Sequence, residues 1–207
     1  MQTSREARKA TRFWRASRTI PMLMLIAALV VVLLPLARPY VSPSLMRQFF
    51  YPVKHAEYIE ESAERHGVDP YLVCAVIRSE SSWDEYALSS AGAVGLMQIL
   101  PSTAQEMADM GLVDPWTNNS AELNAAHVNI EYGSAYLAYL QRHFGSLEKT
   151  IAAYNAGMGV VSRWSTQNSS SFEDAIEYSE TRNYLERVKE SYGEYQRLYP
   201  DGIGAYE

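Results

Sequence analysis

In "VDPYLVCAVIRSES", Leu72, Val73, Val76 and Ile77 recur at three- and four-residue spacing, the pattern of one apolar face of an α-helix. Asp69 is placed to cap that helix, and Pro70 fits its first position, where no backbone N–H is needed. The same pattern extends in both directions. A helix from about His55 to His66 stops at Gly67, a residue suited to the position after a helix end. "PSTAQEMADMG" starts another, with Ser102 and Gln105 at capping-box spacing and Gly111 at its end. Ile130, Gly133, Leu137, Leu140 and Phe144 keep helical spacing until Gly145. Ser146 opens a helix that runs to a loop at "AYNAGMGV", Ser171 and Asp174 open a short one, and "SETRNYLERVKESYGEYQRLYP" supplies a long last helix that Pro200 stops. The stretch from Asp84 to Leu100, with Gly92 and Gly95, reads as a loop region. Strand-like alternation is nowhere sustained and no repeat is present, so residues 55–199 are expected to form one all-α domain, followed by a tail over 200–207.

Ahead of His55 the pattern changes. Residues 1–18 hold six basic side chains against one acid, and "TIPMLMLIAALVVVLLPLA" follows without a charge over residues 19–37. A run of this length is close to the shortest that spans a bilayer as a helix. The basic cluster before it places the N-terminus in the cytoplasm and the domain outside the cell, at the membrane through a single pass. The apolar run exceeds the roughly 7 to 15 residues of a signal-peptide core, and "LPLARPY" lacks a clear A-x-A site, which favours a retained signal-anchor over a cleaved leader. "RPYVSPSLMRQFFYPVK", residues 38–54, contains three prolines and no helical period, and reads as a spacer.

Charge narrows the choice of partner. Setting aside residues 1–38 leaves 11 basic and 23 acidic side chains, a formal charge of −12. Nucleic acid is therefore excluded as an expected partner, because binding it depends on neutralising phosphates. The same surface repels anionic lipid, so attachment to a membrane must come from the apolar run. The single cysteine, Cys74, forbids an internal disulfide, and the four histidines never approach metal-ligand spacing, so neither metal nor cofactor is expected.

One residue breaks the helical pattern. Glu80 follows Val73, Val76 and Ile77 at helical spacing, which sets a carboxylate on the apolar stripe. Such a carboxyl loses hydration, so its charged form is disfavoured and its proton affinity rises. The plain alternative is a helix-end glutamate paired with Arg78 or Arg182, or turned into solvent. Three short features stand apart from the scaffold: "ES" at Glu80 and Ser81, "GLMQ" at Gly95 to Gln98, and "AYN" at Ala153 to Asn155. With "SSAGAVGLMQILPSTA", "NIEYGSAYLAYL" and "SETRNYLERV", their order and spacing resemble the soluble lytic transglycosylase family of the lysozyme-like superfamily. The layout of anchor and single domain looks like that of membrane-anchored bacterial murein transglycosylases.

The resemblance implies a mainly helical, lysozyme-like fold and a carbon–oxygen lyase that acts on the glycan strands of peptidoglycan during cell-wall remodelling. Family members cleave the β-1,4 bond between N-acetylmuramic acid and N-acetylglucosamine without water. The muramic acid's own C6 hydroxyl attacks and leaves a 1,6-anhydro end. One carboxyl then suffices, first as acid to the leaving oxygen and afterwards as base to that hydroxyl, whereas ordinary glycosidases use two. Carried over by residue, Glu80 is the catalytic group. Gln98 would offer its amide, and Ser89 its hydroxyl, to the sugar acetamido group. Tyr154 would orient the carboxyl, Asn155 would line the cleft, and Tyr184 matches the family in "ETRNY", as does Glu180. Met97 would pack in the cleft wall or in the core, and Gly95 would let the loop approach a ligand closely. Trp83, Trp116 and Trp164 are candidate sugar platforms, though each has a structural explanation too.

The chain departs from the family at Asp84 and Glu85, where Asn-Pro is common, and at Leu100, where Met is common. Two other functions share these residues. A hydrolytic muramidase of the same fold would need a second carboxylate, with Asp84, Glu122 and Glu131 as candidates. A non-catalytic peptidoglycan-binding module would use the cleft without chemistry.

Overall fold

A computed structural model of the chain describes residues 42–206 and, separately, Met24. The basic segment 1–18 and the uncharged run 19–37, Met24 apart, lie outside the described residues. Among the described residues no helix is long and apolar enough to cross a membrane. The chain divides after Met46 into two units. A short helix, Pro43–Phe49, falls within the stretch where three prolines argue for an irregular spacer. It forms because Pro43 takes the first helical position and the Ser42 hydroxyl accepts the Leu45 N–H at 3.4 Å.

The unit from Arg47 onward holds eight further helices: α1 (Ala56–His66), α2 (Pro70–Ser81), α3 (Pro101–Asp109), α4 (Ala126–Phe144), α5 (Leu147–Ala156), α6 (Met158–Ser165), α7 (Phe172–Ala175) and α8 (Ser179–Leu198). Short 3-10 turns lie at Ser120–Glu122 and Ile203–Tyr206. Extended pairing among the described residues is limited to isolated bridges, Leu88 with Val94 and Val94 with Ile99.

Most helix ends follow the capping logic of the sequence. Gly67 sits at φ 72 after α1, and Asp69 accepts the Tyr71 N–H at 2.8 Å to start α2. Two ends differ. Leu100, not Ser102, precedes the first turn of α3, since Pro101 occupies a position that needs no N–H. Gln105 donates instead to Asp109, at 2.7 Å. The "AYNAGMGV" loop shrinks to Gly157 alone, whose φ of 87° lets α5 end and α6 begin at once.

Leu72 through Ile77 are all buried, so α2 is the centre of the core. It packs along α8; α5 packs on α8 and α4; α1 packs on α4. This arrangement brings the end of α2, the first turns of α8 and the end of α5 together.

Candidate active site

Glu80 stands at that meeting point, half-buried in the last turn of α2. Its Oε1 accepts the Tyr184 hydroxyl at 2.7 Å. Burial pushes its carboxyl up to about 7, while the Tyr184 hydrogen bond and the Arg187 charge pull the other way. Neither arginine proposed as an ion-pair partner faces it. Arg78 donates to the Phe50 carbonyl and the Ser191 hydroxyl and lies over the Tyr51 ring, and Arg182 donates to the Ile176 carbonyl. Ser81, the neighbour in "ES", turns back to the Ile77 carbonyl.

The chain leaves α2 through two non-glycine residues at positive φ, Ser82 at 52° and Trp83 at 69°. Trp83 is held in that unfavourable backbone region by burial and by its indole N–H, which donates to the Tyr195 hydroxyl at 3.0 Å. Asp84 then accepts the Tyr86 N–H, and Glu85 bonds His55. The two acidic substitutions therefore have partners of their own and do not set the proton affinity of Glu80.

The "GLMQ" turn is fixed to α4 by a residue that pattern reading passes over. Asn129 is buried, and its Oδ1 accepts the Met97 N–H at 2.7 Å. Its Nδ2 donates to the Val94 and Leu123 carbonyls at 2.8 and 2.7 Å. Gly95, at φ 75, is explained by this anchor rather than by a ligand: a Cβ there would come within 2.5 Å of Asn129 Nδ2. Met97 is fully buried, with its sulfur against Gly133 of α4, so its side chain belongs to the core and not to a cleft wall. Its polar role is through the backbone, since the Met97 carbonyl accepts the Tyr154 hydroxyl at 2.8 Å.

Gln98 is half-buried, with a positive φ of 49°. Its Nε2 donates to the Ala87 and Gly95 carbonyls at 3.0 and 2.9 Å, which uses both amide hydrogens. Oε1 is left to accept, so the group it can present to an acetamido N–H is a carbonyl. Ser89 accepts the Ala93 N–H at 2.9 Å and keeps its own hydrogen to donate. Asn155 is exposed; its Oδ1 accepts from Thr181 at 2.8 Å and its amide hydrogens stay available. Glu80, Tyr154 and Tyr184 thus lie together. Tyr184, not Tyr154, hydrogen-bonds the carboxyl, and Tyr154 braces the loop. Burial and the Glu80 charge push both phenols well up, so both remain donors at neutral pH. Glu180 is exposed in the first turn of α8, where an acid complements the helix end, and forms no ion pair among the described residues.

The candidates for a second carboxylate have other settings, and Glu122 is exposed at the end of the Ser120–Glu122 turn. Glu131 bonds Arg65 and His66, and Asp84 caps its own turn. No carboxylate is among the groups that shift Glu80. Trp83 and Trp164 are buried, whereas Trp116 is 94% exposed and has no core role.

Tyr184→Phe gives a direct reading of this geometry. The hydrogen bond favours the carboxylate form, so its loss should raise the Glu80 pKa further. The alkaline limb of the pH–rate profile is expected to move up by about half a unit to one unit. A limb that stays in place would show that the hydroxyl does not act on the acid.

A family model described as "Transglycosylase SLT domain" matches residues 57–176. The soluble lytic murein transglycosylase of Escherichia coli (strain K12) is 31% identical over 155 residues, which cover 72% of this chain and 24% of that protein. The membrane-bound lytic murein transglycosylase C of Edwardsiella ictaluri is 31% identical over 169 residues, covering 70% and 47%. Among solved structures, the 70 kDa soluble lytic transglycosylase of E. coli superposes with a TM-score of 0.67 at 30% identity, covering 74% of this chain and 26% of that one. An inactive mutant of the Pseudomonas aeruginosa lytic transglycosylase superposes with a TM-score of 0.65 at 30% identity, covering 73% and 25%. The chain therefore spans about a quarter of the first curated relative and about half of the second.

Proposed function

The chain belongs to the transglycosylase SLT domain family, and on that premise we propose that it is a peptidoglycan lytic transglycosylase in which Glu80 is the sole acid and base. One observation supports this reading above the others: a single carboxyl, raised to about 7 by burial and hydrogen-bonded by Tyr184, faces no second carboxylate among the described residues. An acid with that affinity is half protonated at neutral pH and can give its proton to the oxygen between N-acetylmuramic acid and N-acetylglucosamine. The carboxylate left behind is charge-stabilised by the Tyr184 hydrogen bond and by Arg187, so it persists long enough to take the proton of the C6 hydroxyl. That hydroxyl attacks C1 and closes the 1,6-anhydro ring. Every proton is then accounted for without water. The Gln98 carbonyl and the Ser89 hydroxyl offer one acceptor and one donor, a pair that matches the N–H and C=O of an acetamido group. Asn155 adds amide hydrogens at the exposed end of α5.

The uncharged run 19–37 supports a place at the membrane, with the domain outside the cell. Fractionated cells producing the full chain test both parts at once. Activity should sediment with membranes, and mass spectrometry of peptidoglycan digested by that fraction should show 1,6-anhydromuramic ends. Reducing-end muramic acid would replace the lyase reading by a hydrolytic one, and activity confined to the soluble fraction would remove the anchor.

A further inference from the structure

The segment that leads into the domain is fastened by its backbone while its largest side chains face water. Arg47 donates to the Leu198 carbonyl at 2.9 Å, and its guanidinium lies 4.2 Å from the centre of the Tyr206 ring. The Phe50 carbonyl accepts from Arg78 at 2.9 Å, the Tyr51 carbonyl from the Tyr199 hydroxyl at 2.8 Å, and the Pro52 carbonyl from the Tyr195 hydroxyl at 3.0 Å. Phe49 and Phe50, among these fastenings, are 66% and 48% exposed. Two adjacent phenyl rings held in water forgo the burial that drives folding elsewhere in the domain.

Charge at this corner runs against that of the whole. Phe49 and Phe50 line a cavity of about 400 Å³ together with Arg78 and Arg187, and among the described residues no carboxylate lines it. Lys54 adds an ammonium at its edge, donating at 3.1 Å to the carbonyl of Trp83, another lining residue. Arg78 spends Nε and Nη1 on Phe50 and Ser191, which leaves Nη2, and Arg187 is exposed. These cations gather in a domain whose formal charge beyond residue 38 is −12. Phe49 also lies twelve residues past Ala37, the end of the uncharged run, so at most about 40 Å of chain separates them.

We propose that this corner docks on the bilayer surface: Phe49 and Phe50 enter the headgroup layer, and Arg78, Arg187 and Lys54 hold the phosphates of anionic lipids. The inference rests on the reading of residues 19–37 as a membrane anchor and goes beyond it, because an anchor alone leaves the domain free to turn. Aromatic rings favour the membrane–water interface, and guanidiniums suit phosphate oxygens. The net negative charge opposes attachment of the domain by itself, but salt screens it beyond about 8 Å, so at contact the local cations decide. The tether supplies the rest, since a short linker holds a weak docking face at a millimolar effective concentration.

Bimane on Gln48→Cys reports on this face, since Gln48 is exposed beside Phe49 and the single native cysteine, Cys74, is buried. The labelled full chain is reconstituted into vesicles of phosphatidylglycerol and phosphatidylethanolamine with brominated acyl chains, which quench a dye that reaches the bilayer. Quenching should be strong. Phe49→Ser with Phe50→Ser should lower the odds of the docked state by about tenfold, and Arg187→Gln by about fivefold. Vesicles of phosphatidylcholine alone should weaken docking as well. Both rings are exposed, so the double serine variant should melt with its parent, and its lost signal is then not unfolding. Flotation reads the anchor separately: a chain that does not float with the vesicles removes the anchor and this inference with it. In a chain that floats, equal quenching with and without the two rings, or equal quenching in phosphatidylcholine, overturns the inference alone. A dye shielded from aqueous iodide yet untouched by brominated lipid also overturns it, and assigns the face to a second protein chain.

Discussion

Glu80→Gln is expected to lower glycan cleavage by about a thousandfold, near the upper part of the range for a general acid–base group. The amide is nearly isosteric and still accepts the Tyr184 hydroxyl through its carbonyl, so the melting temperature should stay close to that of wild type. What it cannot do is give a proton to the leaving oxygen or take one from the C6 hydroxyl. The wild-type pH profile makes the same point without a mutation. Because the acid form starts the reaction and its pKa is held up to about 7, kcat/KM should fall above pH 7, approaching tenfold per unit. The profile should have no such limb in Glu80→Gln. A wild-type rate that keeps rising through pH 9, or a Glu80→Gln enzyme with undiminished turnover, would remove Glu80 from the chemistry.

The parts of this site that local rules govern were legible in the sequence. Asp69, Gly67, Ser146 and Ser171 set helix ends by interactions within a few residues, and each does so in the structure. The anomaly at Glu80 was also local, since three apolar residues on the same helix define the stripe it interrupts. Its consequence was not, because the hydroxyl that holds it lies 104 residues away on α8. Spacing along one helix cannot choose between Tyr154 and Tyr184 as that partner; the packing of α2, α5 and α8 decides it. Met97 shows the same limit. An unbranched apolar side chain fits a cleft wall or a core equally well, and the choice follows from Gly133, whose missing Cβ makes room for its sulfur. Asn129 opens "NIEYGSAYLAYL", yet a polar residue in a helix usually reads as surface. Only the backbone packed against it, with the Met97 N–H and the Val94 and Leu123 carbonyls to satisfy, reveals why it is buried.

That buried amide gives the second large effect. Asn129→Ala is expected to destabilise the domain by about 3 kcal/mol, because the Met97 N–H and the Leu123 carbonyl lose their partner together in a buried place, while the Val94 carbonyl keeps only the Ile99 N–H. For a domain of this size the melting temperature should fall by about 10 °C. The damage should not stop at stability. Asn129 ties both Val94 and Met97 to α4, and Gln98 follows directly, its amide hydrogens spent on the carbonyls of the same loop. A loosened loop would move the Gln98 carbonyl from where an acetamido group meets it, so KM for glycan should rise even well below the melting transition. Tyr154 would lose a fixed acceptor at the Met97 carbonyl as well. Thermal melts and steady-state kinetics at a temperature where both proteins are folded separate the two effects. Asn129→Asp sharpens the test: it keeps an acceptor for the Met97 N–H but turns a charge on the Val94 and Leu123 carbonyls, so it should be no more stable than the alanine variant. If Asn129→Ala melts with wild type and cleaves with unchanged KM, the loop is held by its own turn and not by α4.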